Sequence, residues 1–294
     1  MDSVSVCPTA AHASKFQERS LPAEPESNRQ SSESELQYSY GALPKRAILR
    51  WIEMIVIFFG IPVFVAVFLD PKQRLRPFFD ASGADTVFNG LRVAAGMVIP
   101  LLLLITVISA FVLVRDPTFE NRRLWNWKPF KRDAKRIVGI FLVLGAGLLG
   151  VAWLLSEFTG ILSIGGADGS GRSAFLYLPR ELPWALLFIA IGYPIFSAYP
   201  QEILCRAFFF HRYHGLFPNT ASMVVVNAVA FMWLHAPFWS LEAFAITLPG
   251  GFLFAYTYLR TRSCLAAGVE HALYGWWAFF TGLGWFVFTG SIGA

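Results

Sequence analysis

Apolar stretches of about 18 residues or more recur along this chain, the first being LRWIEMIVIFFGIPVFVAVFL at 49–69. A run of that length is what a helix needs to cross a bilayer, and it reads as a transmembrane span. Further runs lie near 91–114, 137–158, 183–210, 220–236, 241–259 and 264–288. Only 15% of the 294 residues are charged and the mean hydropathy is +0.52. An ordinary soluble domain carries about 25% charge. The expected fold class is therefore all-α, a polytopic transmembrane helical bundle of about seven spans. An eighth span or a re-entrant tail fits 276–294. Pro62, Pro100, Pro194 and Pro200 fall inside these runs and should kink their helices. Spans tolerate this where neighbouring groups satisfy the freed carbonyls.

Residues 1–45 differ in kind. They are rich in Ser, Glu, Pro and Gln and hold no apolar core, the composition of a disordered tail. They also lack the basic start, apolar middle and small-residue cleavage site of a signal peptide, so the first span is expected to serve as an uncleaved anchor. Two further parts follow: N-terminal helices and loops over 46–182, and a segment over 183–288 that holds the chemistry argued below. Cys7, Cys205 and Cys264 form no CxxC pair, and the latter two sit in apolar runs, where free thiols behave as small hydrophobes.

Orientation follows from Lys and Arg in short loops. The segment 115–136, RDPTFENRRLWNWKPFKRDAKR, carries Arg115, Arg122, Arg123, Lys128, Lys131, Arg132, Lys135 and Arg136, and is read as a cytoplasmic loop. Alternation then puts the N-terminus inside and the Gly/Ser-rich loop 159–182 outside. Lys72, Arg74 and Arg76 are the discordant group. The net charge of +5 sits beside spans, as topology alone requires, and so implies contact with the lipid bilayer and no nucleic acid. Trp125 and Trp127 read as interfacial aromatics of the same loop.

Ionisable residues inside spans cost about 2.5–3.5 kcal/mol each on insertion scales, and so usually mark a site. Glu202 and Arg206 are four apart with the acid first, a spacing that stacks them on one helical face as a pair. Asn227, Phe231 and His235 recur every fourth residue along another span. His271 follows Glu270 in GVEHALYG, and neighbours on a helix point in different directions. At 1.5 Å per residue, Glu202, His235 and His271 lie about 18, 22 and 12 Å from the same membrane surface, so all three can approach one buried cavity. A carboxylate and two imidazoles in a desolvated pocket suit water activation and peptide-bond hydrolysis. No span carries HExxH, and nothing in the chain points to a metal or a cofactor. The close pair His211–His214 falls at the membrane surface, a place for a headgroup contact.

These residues resemble the CPBP intramembrane glutamic endopeptidases, which include the CAAX prenyl proteases and the bacteriocin-processing and immunity (Abi) proteins. That family carries EExxxR, then FxxxH, then HxxxN or HxxxB. Here the motifs read QEILCR at 201–206, FMWLH at 231–235 and HALYG at 271–275. The likeness covers about 185–285. It implies a peptidase of membrane-associated or lipidated substrates in a bacterial plasma membrane, working without metal. In the family the first glutamate and the FxxxH histidine activate water, while the second glutamate pairs with the arginine. Carried over, Glu202–Arg206 matches the supporting pair and His235 the water-activating histidine. The catalytic glutamate's place holds Gln201, whose amide can orient water but takes no proton at neutral pH. Gly275 replaces the last polar residue, and Asn227 is the nearest amide that could substitute.

Three readings stay open. Glu202 acts as base itself; Glu270 supplies the missing carboxylate; or the fold binds a lipidated or apolar peptide as a receptor, immunity or maturation partner and cleaves nothing. The expected catalytic set is Glu202, His235 and His271, supported by Gln201, Arg206, Asn227, Phe231 and Glu270. A transporter would need matching repeats in two halves, and none is visible around residue 160. The sequence sets neither the substrate, the cleavage position nor the oligomeric state.

Overall fold

In a computed structural model, residues 44–69, 98–164 and 172–287 are described. Residues 1–43 of the expected tail, the 70–90 loop and the last seven residues lie outside them, and Pro44 and Lys45, assigned to the tail, begin the first helix. Helices stand at all seven expected places: α1 (44–69), α2 (Val98–Arg115), α3 (127–159), then α5 (Pro183–Arg212), α6 (Thr220–Trp233), α7 (Leu241–Thr261) and α8 (Cys264–Thr281). A short α4 (Tyr177–Glu181) precedes α5. The first five of the seven are long and apolar enough to cross a membrane. The last two have the length, 21 and 18 residues, but α7 carries Glu242 and Arg260, and α8 carries Glu270 and His271. Large apolar side chains such as Leu142, Val143, Phe188 and Leu187 point outward, the surface a lipid-facing helix presents. The chain is an integral membrane protein of helical, polytopic design.

Two loops read from the sequence turn out to be partly structured. The basic segment is helical from Trp127 onward, because Asn126 is extended and Pro129 falls in the first turn, where its missing N–H costs nothing. This helical part is anchored by Asp133, which accepts from Arg136 at 2.6 Å and from Arg260 of α7 at 2.9 Å. The Gly/Ser-rich loop holds β1 (Ser163–Ile164) paired antiparallel with β2 (Arg172–Ser173). Leu162 and Ala174 bury against Ala152, Ala243 and Leu283, and this apolar cluster orders the loop. After α8, Gly282 takes φ +98 and the chain enters a 3-10 turn, Leu283–Val287. A side chain at 282 would collide with the Ala174 carbonyl. No eighth span occurs among the described residues, and 288–294 of the expected eighth span or re-entrant tail lie outside them.

The prolines act through helix register. Pro194 opens a π-helical turn (Pro194–Ala198), and a second, Ile203–Phe208, follows Pro200. The Pro200 carbonyl accepts from Thr106 of α2 at 3.2 Å, which ties α2 to α5 where the register widens. Pro100 instead sits in the first turn of α2, where it is harmless.

Helix ends are set locally. Asn219, Ser240 and Ser263 cap α6, α7 and α8, each side chain accepting from a backbone N–H three residues on. Arg262, at φ 50, turns the chain from α7 into α8 in two residues. Between α6 and α7 the backbones meet at Gly251, where a Cβ would fall 2.9 Å from Ala228 Cα. The main core gathers Met54, Phe58, Leu113, Leu204, Phe209 and Tyr258 around α5. At its rim Glu53 of α1 accepts two hydrogen bonds from Arg212, at 3.0 and 2.9 Å, and one from the Tyr213 hydroxyl.

Candidate active site

The π-helical turn 203–208 places Glu202 and Arg206, both with 0% exposure, at the centre of the bundle. Arg206 Nε lies 3.2 Å from Glu202 Oε2, an ion pair by distance whose N–H is not aligned for a hydrogen bond. Two buried charges survive only with further partners. Arg206 Nη1 donates to Asn227 Oδ1 at 2.7 Å, and Nη2 reaches the Gly251 carbonyl at 3.4 Å. Asn227 Nδ2 in turn donates to the Cys205 carbonyl at 2.6 Å. That amide is thus fully engaged on α5. Glu202 Oε1 faces His271 Nδ1 at 2.9 Å. In the tautomer with the proton on Nδ1, His271 donates to Glu202 and its Nε2 can accept a hydrogen bond. The hydroxyl of Tyr193 lies 3.0 Å from that Nε2.

His235 is held differently. It follows the end of α6 and precedes a 3-10 turn, Ala236–Phe238. Its Nδ1 donates to the Phe231 carbonyl at 2.9 Å, which makes Nε2 the unprotonated nitrogen. Phe231 is the wall between the two histidines, its ring 5.2 Å from His235 and 5.4 Å from His271. The Arg206 guanidinium lies 4.9 Å above the same ring, a contact worth about 2 kcal/mol when desolvated. Phe254 stacks on the other side of His271 at 4.5 Å.

A cavity of about 440 Å³ opens beside this row. Its wall is mostly apolar, from α1, α2 and α5, with Tyr193, Ser197, Gln201 and His235 as its polar members. Gln201 Nε2 donates to Ser197 Oγ at 2.9 Å, and its buried Oε1 has no hydrogen-bond partner. Volume and lining are those of a site for a largely apolar ligand with few polar contacts.

Of the residues singled out from the sequence, the structure joins Asn227, Arg206, Glu202 and His271 in one row, through two hydrogen bonds and the Arg206–Glu202 ion pair, with Phe231 against it. His235 and Gln201 face the cavity; Glu202 and His271 do not line it. Glu270 is hydrogen-bonded to none of these residues. It is fully buried and does not line the cavity, neither oxygen has a well-formed hydrogen bond, and its polar surroundings are Thr257, Arg136, Glu202 and Asp133. Among the described residues, no three His, Cys, Asp or Glu side chains gather as metal ligands would. His211 and His214 stay at the bundle's edge, His211 against Asp116 at 3.0 Å and His214 on the His211 carbonyl at 2.7 Å. Trp125 packs its ring 4.7 Å from Tyr199, whose hydroxyl donates to the Leu124 carbonyl, so the basic segment braces α5 two residues before Gln201.

Tyr193 and Ser197 escape a reading of the sequence alone. Their one-turn spacing ahead of Gln201 was the available signal, and in an apolar run it points equally to packing.

Residues 182–277 match the model of the family described as Type II CAAX prenyl endopeptidase Rce1-like. Searches of curated proteins and of solved structures returned no match. The matched segment, about a third of the chain, contains every residue of the row and both histidines, and over it the chain is similar to the Rce1-like CAAX prenyl endopeptidases, consistent with the resemblance to the CPBP family.

Proposed function

We propose that the protein is an intramembrane endopeptidase of the CPBP type, hydrolysing a peptide bond in a membrane-associated or lipidated substrate. The observation that carries this reading is the pairing of an apolar cavity, floored by His235 and Gln201, with a buried carboxylate–imidazole pair directly behind it. In this reading the substrate's apolar part lies in the cavity. A water sits between His235 Nε2 and Gln201 Oε1, and the Glu202–His271 pair is the destination of its proton. Arg206 and Asn227 keep Glu202 in place, and Phe231 fixes the spacing of the two histidines. The site segment is 183–288, with the N-terminus and the basic segment in the cytoplasm and the bacterial plasma membrane as host.

Reconstitution in liposomes with membrane peptides tests it. Mass spectrometry should find new peptide ends with the wild type that disappear with Glu202→Gln and with His235→Ala. Wild-type protein that is folded yet produces no new ends would sink the endopeptidase reading.

A second reading has one observation in its favour. Where the family's base would stand, the cavity presents a glutamine, and the retained glutamate is held by Arg206 and His271. On that ground the same cavity holds a lipidated or apolar peptide without cutting it, as an immunity or maturation partner does.

A further inference from the structure

Neither member of the buried carboxylate–imidazole pair lines the cavity, so a proton passing between cavity and pair needs an intermediary. Tyr193 is in position to be one. It lines the cavity, and its hydroxyl lies 3.0 Å from His271 Nε2, the nitrogen left free once Nδ1 donates to Glu202. The place it occupies is made by Gly275: a methyl group there would overlap the tyrosine ring and its hydroxyl. The departure from the family pattern at 275 and the tyrosine at 193 are therefore one feature. A side chain at 275, the last position of HALYG, would displace the Tyr193 ring and hydroxyl from their place beside His271.

We infer that Tyr193, seated by Gly275, relays protons between the cavity and the buried His271–Glu202 pair; this rests on the hydrolytic reading above. The step balances as follows. As a cavity water loses a proton to Tyr193 Oη, the tyrosine's own proton passes to His271 Nε2. Hydroxide is left in the cavity, the phenol is again neutral, and an imidazolium faces the Glu202 carboxylate. Hydroxide adds to the scissile carbonyl carbon. When the C–N bond breaks, the proton returns from Nε2 through Oη to the leaving nitrogen. Gln201 takes no part in proton movement, which is why an amide suffices there.

Two variants and two readouts decide this. Tyr193→Phe keeps the ring against Gly275 and removes only the O–H, whereas Gly275→Ala displaces the ring. With a peptide substrate in liposomes, Tyr193→Phe should lower kcat by about 100-fold, as loss of a positioned proton-transfer group does, with KM unchanged. Gly275→Ala should lower it at least as far. The second readout needs no turnover. In histidine-labelled protein in detergent, nitrogen NMR follows exchange of the His271 ring proton after transfer to heavy water, and exchange should slow in Tyr193→Phe. A Tyr193→Phe protein that cleaves at the wild-type rate overturns the relay. If the wild type cleaves nothing, the endopeptidase reading falls. The relay is then judged by exchange alone: slowed exchange upholds it and equal exchange overturns it.

Discussion

Gln201 and Glu202 are neighbours on α5 and face different surroundings: the amide lines the cavity, and the carboxylate is fully buried between Arg206 and His271. A helix turns by about 100° per residue, so adjacent side chains cannot share one environment. Of these two neighbours the one at the cavity is the amide, which takes no proton at neutral pH, and the carboxylate is kept behind its partners.

Restoring a carboxylate at the cavity wall is the most direct use of that relationship. Gln201→Glu puts an acceptor beside His235 and should raise the rate of peptide-end formation by about 100-fold, the usual contribution of a placed general base. An unchanged or lower rate would mean that position 201 does not face the attacking water.

The Glu202–Arg206 pair should show the asymmetry of buried ions. Arg206→Met leaves a carboxylate with no exposure and no cation, and should destabilise the folded state by about 3–5 kcal/mol. Thermal unfolding in detergent measures it. Glu202→Gln/Arg206→Met together should be more stable than Arg206→Met alone. If the double variant is the weaker, the pair is not what holds this region.

Close approach of α6 and α7 depends on one missing side chain. Gly251→Ala puts a methyl 2.9 Å from Ala228 Cα and should cost about 1–3 kcal/mol by forcing the helices apart. Gly147→Ala on α3, with nothing within 4 Å, is the matched control and should be neutral or slightly stabilising. The carbonyl of Gly251 also accepts from Arg206, so the first variant should lower activity as well.

Acid sensitivity should have a contribution from Asp116, just beyond α2. The Thr118 hydroxyl first, and His211 after it, hold its carboxyl well below the ordinary carboxylate value of 3.8. A folded-state value below the unfolded one means a stabilisation fully present above the unfolded value and lost as pH falls through the folded one. Between about pH 5 and pH 3 the wild type should therefore lose more stability than Asp116→Asn. Parallel losses in the two proteins would remove Asp116 from the acid response.

Residues in contact do not become legible from spacing equally well. The seven helical places were readable because a span must be long and apolar whatever it packs against. Glu202 and Arg206 were readable as a pair because i,i+4 neighbours on one helix meet by geometry alone. The basic segment's helix from Trp127 was not. Its charges favour a loop, and the Asp133 contacts with Arg136 and Arg260 that anchor its first turns include a helix more than a hundred residues away.

By itself the sequence determined a helical membrane bundle and the types of group near its centre, since hydrophobic length and the cost of intramembrane charge are local properties of the chain. Which group faces the cavity was decided by the tertiary structure. The π-helical turn after Pro200, the wall formed by Phe231 and the space left at Gly275 rotate Glu202 inward, turn Gln201 outward and admit Tyr193 to His271. These are contacts between helices packed at fixed distances, and no periodicity within one helix encodes them.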